Sequence, residues 1–208
     1  MYRPPIVRPK NPSVNKSNEV NMRKDIIDYL CEEVEYRCKL PTNHFGIGCF
    51  YHIQAVVKNA EMLADSYGAD QEVVIIAAWL HDIASITNYE LYENHHIHGA
   101  DIAEDMLQKF SYPPDKIKHV QMCIRNHRGS VLNSKSTVEE ICVADADAIS
   151  HFDNIPSLLY LAYVNKGLGI NEGREFVKKK LTRSFEKLSD NSKILYMEKF
   201  DEVMNILG

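Results

Sequence analysis

Apolar residues recur along this chain at three- and four-residue intervals, and apart from a few short apolar runs nowhere with the alternation of strands. Met22, Ile26, Ile27, Leu30 and Val34 define a first helix, with Asn18 as its N-cap and Pro41 beyond its end. The segment PTNHFGIG is a loop by its Pro, Asn and two Gly. A second helix is predicted from about Phe50 to Tyr67, with Ile53, Val56, Val57, Ala60 and Leu63 as its buried stripe and Gly68 as its stop. A third runs from about Asp70 to Ile83 and is apolar on nearly every side, which marks a central helix. Further helices fit about 94–110, ended before Pro113-Pro114, then 114–127 and 137–152. Two more close the chain near 157–165 and 172–206, the last interrupted near Ser189-Asp190-Asn191. The expected class is all-α. Residues 19–208 are expected to form one domain, after a flexible leader over 1–18.

Several polar residues interrupt the apolar stripes. In WLHDIASI, His81 and Asp82 follow the run VVIIAAWL, where an unpaired carboxylate is costly unless it faces water or a compensating charge. His52 sits on the second helix, and Asp145 and Asp147 break the stretch ICVADADAIS. His95, His96 and His98 cluster at the start of one helix, and His127 ends another. Taken singly, each is more often a core hydrogen-bonding group or a cap than a ligand. Together, imidazoles and carboxylates on three separate helices would meet at a crossing and suit a borderline divalent metal: Mn, Fe, Co, Ni or Zn.

Charge and cysteine content narrow the setting. The formal net charge is −5, and residues 1–18 hold four bases and no acid, which leaves about −9 on the remainder. An acidic body of this kind is a poor partner for phosphate backbones, so stable nucleic-acid binding is not expected. No apolar run reaches the roughly 18 residues of a membrane span, and MYRPPIVRPK lacks a secretory apolar core. Five cysteines without a C-x-x-C pair favour a reducing compartment, so a cytoplasmic location is expected. The C-terminal segment from Asn171 is amphipathic and charge-mixed. Packing on the domain is its expected role, with homodimerisation as a minority reading.

The ordered set His52, His81-Asp82, Asp147 resembles the H…HD…D signature of the HD-domain superfamily of metal-dependent phosphohydrolases. YHIQAVVKNAEMLA is similar to that family's first-ligand helix, AAWLHDIA to its name-giving segment, NHHIHGADIAEDML to the helix that follows, and ADADAI to its final aspartate segment. The resemblance spans about residues 45–155. It implies an HD-like helical bundle with a divalent metal held by His52, His81, Asp82 and Asp147. Asp145 is the alternative to Asp147. Some members carry extra histidines and bind two metals, a role open here to His95, His98 and His127. The implied reaction is hydrolysis of a phosphate ester or anhydride on a small molecule, most naturally a nucleotide, by water bound to the metal. Asp82 would orient that water. His127 and Arg128 would complete the catalytic group, and Arg125, Arg128 and Lys58 are the cations available for a phosphate.

The chain also departs from the family. Ser85-Ile86-Thr87 stands where many catalytic members have a lysine. The Gly-Tyr-Pro segment of the cyclic-dinucleotide branch is absent, and the chain is too short for the extra region of the guanosine-tetraphosphate hydrolases. Two other readings stay open: a di-iron oxygenase of HD type, and a degenerate HD domain that binds a ligand or partner without turnover.

Overall fold

The computed structural model describes residues 22–128 and 135–208, so the leader and the Asn18 cap lie outside the described residues. The α-helices are α1 (Lys24–Lys39), α2 (Gly48–Tyr67), α3 (Gln71–Leu80), α4 (Ile83–Thr87), α5 (His95–Gln108), α6 (Pro114–Asn126), α7 (Val138–Asp153), α8 (Ile155–Tyr160), α9 (Ile170–Lys187) and α10 (Asp190–Leu207). A 3₁₀ segment, Tyr89–Asn94, leads into α5, and a π turn, Leu161–Asn165, extends α8. No strand occurs among the described residues. The class is all-α.

Local chemistry sets the ends. The Asp70 carboxylate accepts from the Val73 amide at 3.2 Å and starts α3. Thr137 starts α7 in the same way, through the Glu140 amide at 3.3 Å. Gly68 closes α2 in the left-handed region, at φ 68°, where a side chain would be strained. The predicted single helix from Asp70 to Ile83 is two helices. The chain leaves helical geometry at Asp82 (φ −109°, ψ 13°) and restarts at Ile83. Every residue of α3 after Gln71 is buried, so this helix is an axle packed against α1, α2, α6 and α7. Full burial of Val73, Ile76 and Leu80 contributes about 1.5–3 kcal/mol each and fixes where the axle ends.

A second, smaller core holds Phe152, Leu158, Ala162, Val177, Leu181 and Val203, beneath α8, α9 and α10. Gly173 lets α9 close on the π turn, because a Cβ there would collide with the Tyr163 ring. The expected break in the last helix falls at Leu188–Ser189. There the Ser189 hydroxyl caps α10 through the Ser192 amide at 3.4 Å. A cleft opens where the two cores meet, with Ile86 of the main core and Leu158 of the smaller one on its wall.

Candidate metal centre

The break after α3 determines where the His-Asp pair points. His81 caps α3 and is fully buried, while Asp82 sits in the turn before α4. The Asp82 carboxylate has one oxygen on each side of a divided group. Its Oδ2 lies 3.5 Å from His81 Nε2 and 4.0 Å from His52 Nε2. Its Oδ1 lies 3.4 Å from His95 Nε2. On the first side His52 Nε2 also approaches Asp147 Oδ1, at 3.4 Å. On the second, His95 Nε2 and His127 Nε2 face each other at 3.2 Å. Two sets able to hold a metal result: His52, His81 and Asp147, and Asp82, His95 and His127, each with ligand atoms within 4.8 Å of one another.

The far nitrogens of the four rings decide what the near ones offer. His81 Nδ1 meets the Ala78 carbonyl at 2.7 Å, His95 Nδ1 meets Tyr92 at 2.7 Å, and His127 Nδ1 meets Ile124 at 2.6 Å. A carbonyl can only accept, so each Nδ1 carries the proton and each Nε2 of a neutral ring presents a lone pair. His52 Nδ1 lies 2.9 Å from the Ser150 hydroxyl, whose own proton goes to the Asp147 carbonyl at 2.7 Å. Ser150 therefore accepts from His52, and the same tautomer follows.

Four Nε2 atoms, each with a lone pair when its ring is neutral, thus converge with two carboxylates. Two neutral imidazoles with lone pairs at 3.2 Å repel unless a proton or a cation lies between them. His81 Nε2 is buried with no hydrogen-bond partner among the described residues. This donor set of imidazole and carboxylate, with each ring held from behind, fits a divalent transition metal.

The charges agree. Burial alone raises the Asp82 and Asp147 pKa values, yet the histidines around them hold both well below the usual carboxylate range. Burial lowers the His81 pKa, but the Asp82 carboxylate outweighs it and raises the imidazole to about 9. His127 goes the other way, pushed down to about 3 by burial and by the neighbouring His81. Without a cation the two carboxylates draw a proton onto His81. A metal would take that proton's place.

Other expected residues stand apart. Asp145 accepts from the Ser189 amide at 3.0 Å, from the Ser189 hydroxyl, and from the Ser192 hydroxyl at 2.7 Å, so it anchors the start of α10 and reaches no histidine of the site. His98 is half-buried on α5, three residues past His95, and outside both ligand sets. His96 is buried with an unpartnered Nδ1, also outside both sets. Arg128 is not among the residues lining the cleft, and its Nη1 donates to the Glu93 carbonyl. Arg125 pairs with Asp101 at 3.2 Å on the surface, and Lys58 is exposed on α2.

The cleft beside Asp82 and His52 brings in groups the sequence reading missed. Lys180 of α9 lines it, and no carboxylate among the described residues lies within ion-pair distance. Burial holds the Lys180 pKa below that of an ordinary lysine, although Asp147 pulls the other way. His151 lies one turn after Asp147 on α7, with its ring centroid 4.7 Å from that of His52 and Nδ1 3.3 Å from the Ser184 hydroxyl. Ser85 lines the same cleft, in the place where a lysine was expected. Phe45 and Tyr92 form its aromatic wall, 5.1 Å between centroids. Spacing could have flagged His151, four residues after Asp147. Nothing distinguishes Lys180 within Lys178-Lys179-Lys180 except its place beside the buried Val177 and Leu181.

The HD-domain family model matches residues 49–151, which include His52, His81, Asp82, His95, His127 and Asp147. The fold is similar to that of Bacillus subtilis YpgQ, at 17% identity and a TM-score of 0.67, over 88% of this chain and 92% of that one. YpgQ has also been solved in complex with ADP. A predicted HD superfamily hydrolase from an uncultured Thermotogales bacterium matches at 21% identity and a TM-score of 0.51, over 79% of this chain and 87% of that one. An uncharacterized protein of Clostridium beijerinckii is 29% identical over 79 residues, 37% of this chain and 50% of that protein. The match therefore spans about half the length of that relative. No described helix is long and apolar enough to cross a membrane.

Proposed function

Because this chain carries an HD domain over residues 49–151, we propose that it is a metal-dependent phosphohydrolase acting on a small phosphorylated molecule, and that this molecule is a nucleotide. The observation that carries the reading is the convergence of four imidazole Nε2 atoms on Asp82 and Asp147, each ring fixed in its coordinating tautomer from behind. Bound there, a divalent cation lowers the pKa of a coordinated water from about 15.7 to about 7 and polarises a phosphoryl oxygen.

The chain's own groups divide the remaining work. His52, His81 and Asp147 would hold one cation, and His95 with His127 a second, with Asp82 between them. Asp82 keeps its carboxylate ionised under the influence of the surrounding histidines, so it can also accept a proton contact from the attacking water and orient it. Lys180 stands at the cleft without a carboxylate partner and supplies the cation for a substrate phosphate, in place of the lysine absent at position 85. Phe45, Tyr92, Ile86 and Leu158 give the other end of the cleft an apolar and aromatic lining, suited to the base or ribose of a nucleotide. The ADP complex of YpgQ supports a nucleotide by analogy of fold.

The test is phosphate release from a panel of nucleotides and simple phosphate esters, ADP among them, with Mn, Co, Ni or Mg supplied. Turnover of at least one nucleotide is expected. No turnover of any phosphate compound by metal-loaded protein sinks the reading. The pairing of His95 with His127 also meets the condition for a di-iron oxygenase. Two irons per chain with dioxygen consumption, and no phosphate release, would favour that alternative.

A further inference from the structure

Sequence spacing gives no reason to pair any two of the five cysteines, yet the fold brings two together. Cys38 lies in the last turn of α1 and Cys49 in the first turn of α2, with sulfurs 3.1 Å apart. A disulfide needs about 2 Å, so closure requires a movement of only about 1 Å. The two thiols differ in access. Cys38 is 2% exposed, whereas Cys49 is half-buried and lines the cleft beside the metal centre.

Their surroundings differ as well. The Cys49 thiol donates to Cys38 Sγ at 3.1 Å, and Cys49 Sγ accepts from the Asn43 side-chain amide at 3.1 Å. The neighbouring Cys38 and the Asn43 amide draw the Cys49 pKa down despite burial, while Cys49 and burial drive that of Cys38 up. Cys49 lies at a helix start, and the Phe50 backbone amide acts on it in the same direction. Asn43 is itself fixed by the Cys38 carbonyl at 2.8 Å. One thiol thus lines the cleft and is the more readily ionised of the two, while the other is held behind it.

We propose that Cys38 and Cys49 form a reversible oxidation site, at which a hydroperoxide converts the pair to a disulfide. The Cys49 thiolate attacks one peroxide oxygen. The O–O bond breaks, the sulfur is oxidised by two electrons to the sulfenic acid, and the second oxygen leaves as hydroxide or alkoxide. The Cys38 sulfur then attacks the Cys49 sulfur. The S–O bond breaks, the Cys38 proton leaves with the departing oxygen as water, and the S–S bond forms. A dithiol reductant reverses the step. The disulfide closes a ring over residues 38–49, and that ring carries Phe45 of the cleft wall. Oxidation would therefore restrain the segment that forms one side of the substrate cleft.

The test uses the full chain and hydrogen peroxide, with alkylation and mass measurement as the readout, and needs no knowledge of the substrate. Alkylatable thiols are expected to fall from five to three per chain. Digestion should yield a linked Cys38–Cys49 peptide, and dithiothreitol should restore all five. A glutathione redox titration of the wild-type chain should give one two-electron transition at this pair, so the result does not rest on a variant folding. In Cys38→Ala, Cys49 should instead accumulate as a sulfenic acid that dimedone traps. Retention of five thiols overturns the proposal, as does loss at Cys31, Cys123 or Cys142 in preference to this pair, or linkage only between chains.

Discussion

Ser150→Ala removes a single oxygen, yet it should weaken metal binding at a ligand it does not replace. The Ser150 hydroxyl accepts from His52 Nδ1 at 2.9 Å and donates to the Asp147 carbonyl at 2.7 Å. Loss of the second contact costs little, because that carbonyl also has its place in the α7 ladder. Loss of the first gives the imidazole two poor choices. It can keep its proton on Nδ1 without an acceptor, at about 1–3 kcal/mol. Or it can move the proton to Nε2, towards Asp147 Oδ1 at 3.4 Å, and so give up the lone pair a metal requires. Either way the coordinating tautomer is disfavoured, and the expected loss of affinity is about 10- to 100-fold, or about 1.4–2.8 kcal/mol. Competition against a chromophoric chelator measures it directly. Ser184→Ala is the control: it strips a hydroxyl from His151, which belongs to neither ligand set, and should leave affinity unchanged. Equal affinity in Ser150→Ala and the wild type, or an equal loss in the control, would refute the tautomer argument.

Lys180→Met should lower kcat/KM by about 10- to 150-fold, the worth of a charged hydrogen bond of about 1.5–3 kcal/mol, mostly through KM and with metal content unchanged. Lys180→Arg should recover part of the loss. Asp145→Ala should cost about 3 kcal/mol in chemical denaturation, because it strands the Ser189 amide and Ser192 hydroxyl, while metal stoichiometry stays intact; Asp147→Ala should lose metal. Metal affinity should rise about tenfold per pH unit until about 9 and then level off, because below that pH a cation must displace the His81 proton. For the metal-free chain the sign reverses: the stability contributed by protonated His81 is fully present below about 6.5 and lost as pH rises through about 9, which thermal melts would record.

The residue pattern was informative wherever a side chain's role is local. The all-round apolarity of α3 marked the central axle, and Pro113-Pro114 and Gly68 marked ends that the fold keeps. The order His52, His81-Asp82, Asp147 pointed to groups that the fold gathers at one place. What the pattern could not supply was the turn at Asp82. A helix continued to Ile83 would not place one carboxylate oxygen on each side, and His95 follows Asp82 by only 13 residues. The 3₁₀ segment Tyr89–Asn94 bridges that gap and delivers His95 opposite His127. Asp145 and Asp147 looked alike because both lie in one apolar stretch. Their separation depends on Ser189 and Ser192, more than forty residues away. Lys180 and the Cys38–Cys49 pair were invisible for the same reason. Their meaning comes from the helix packed opposite them.

Metal content of the chain tests the central claim most directly. After reconstitution with a divalent transition metal and removal of excess by gel filtration, elemental analysis should find two ions per chain, one for each ligand set. The count should fall to one in the His95→Ala, His127→Ala double variant. A wild-type chain that retains no metal after exposure to Mn, Fe, Co, Ni and Zn in turn would contradict the account.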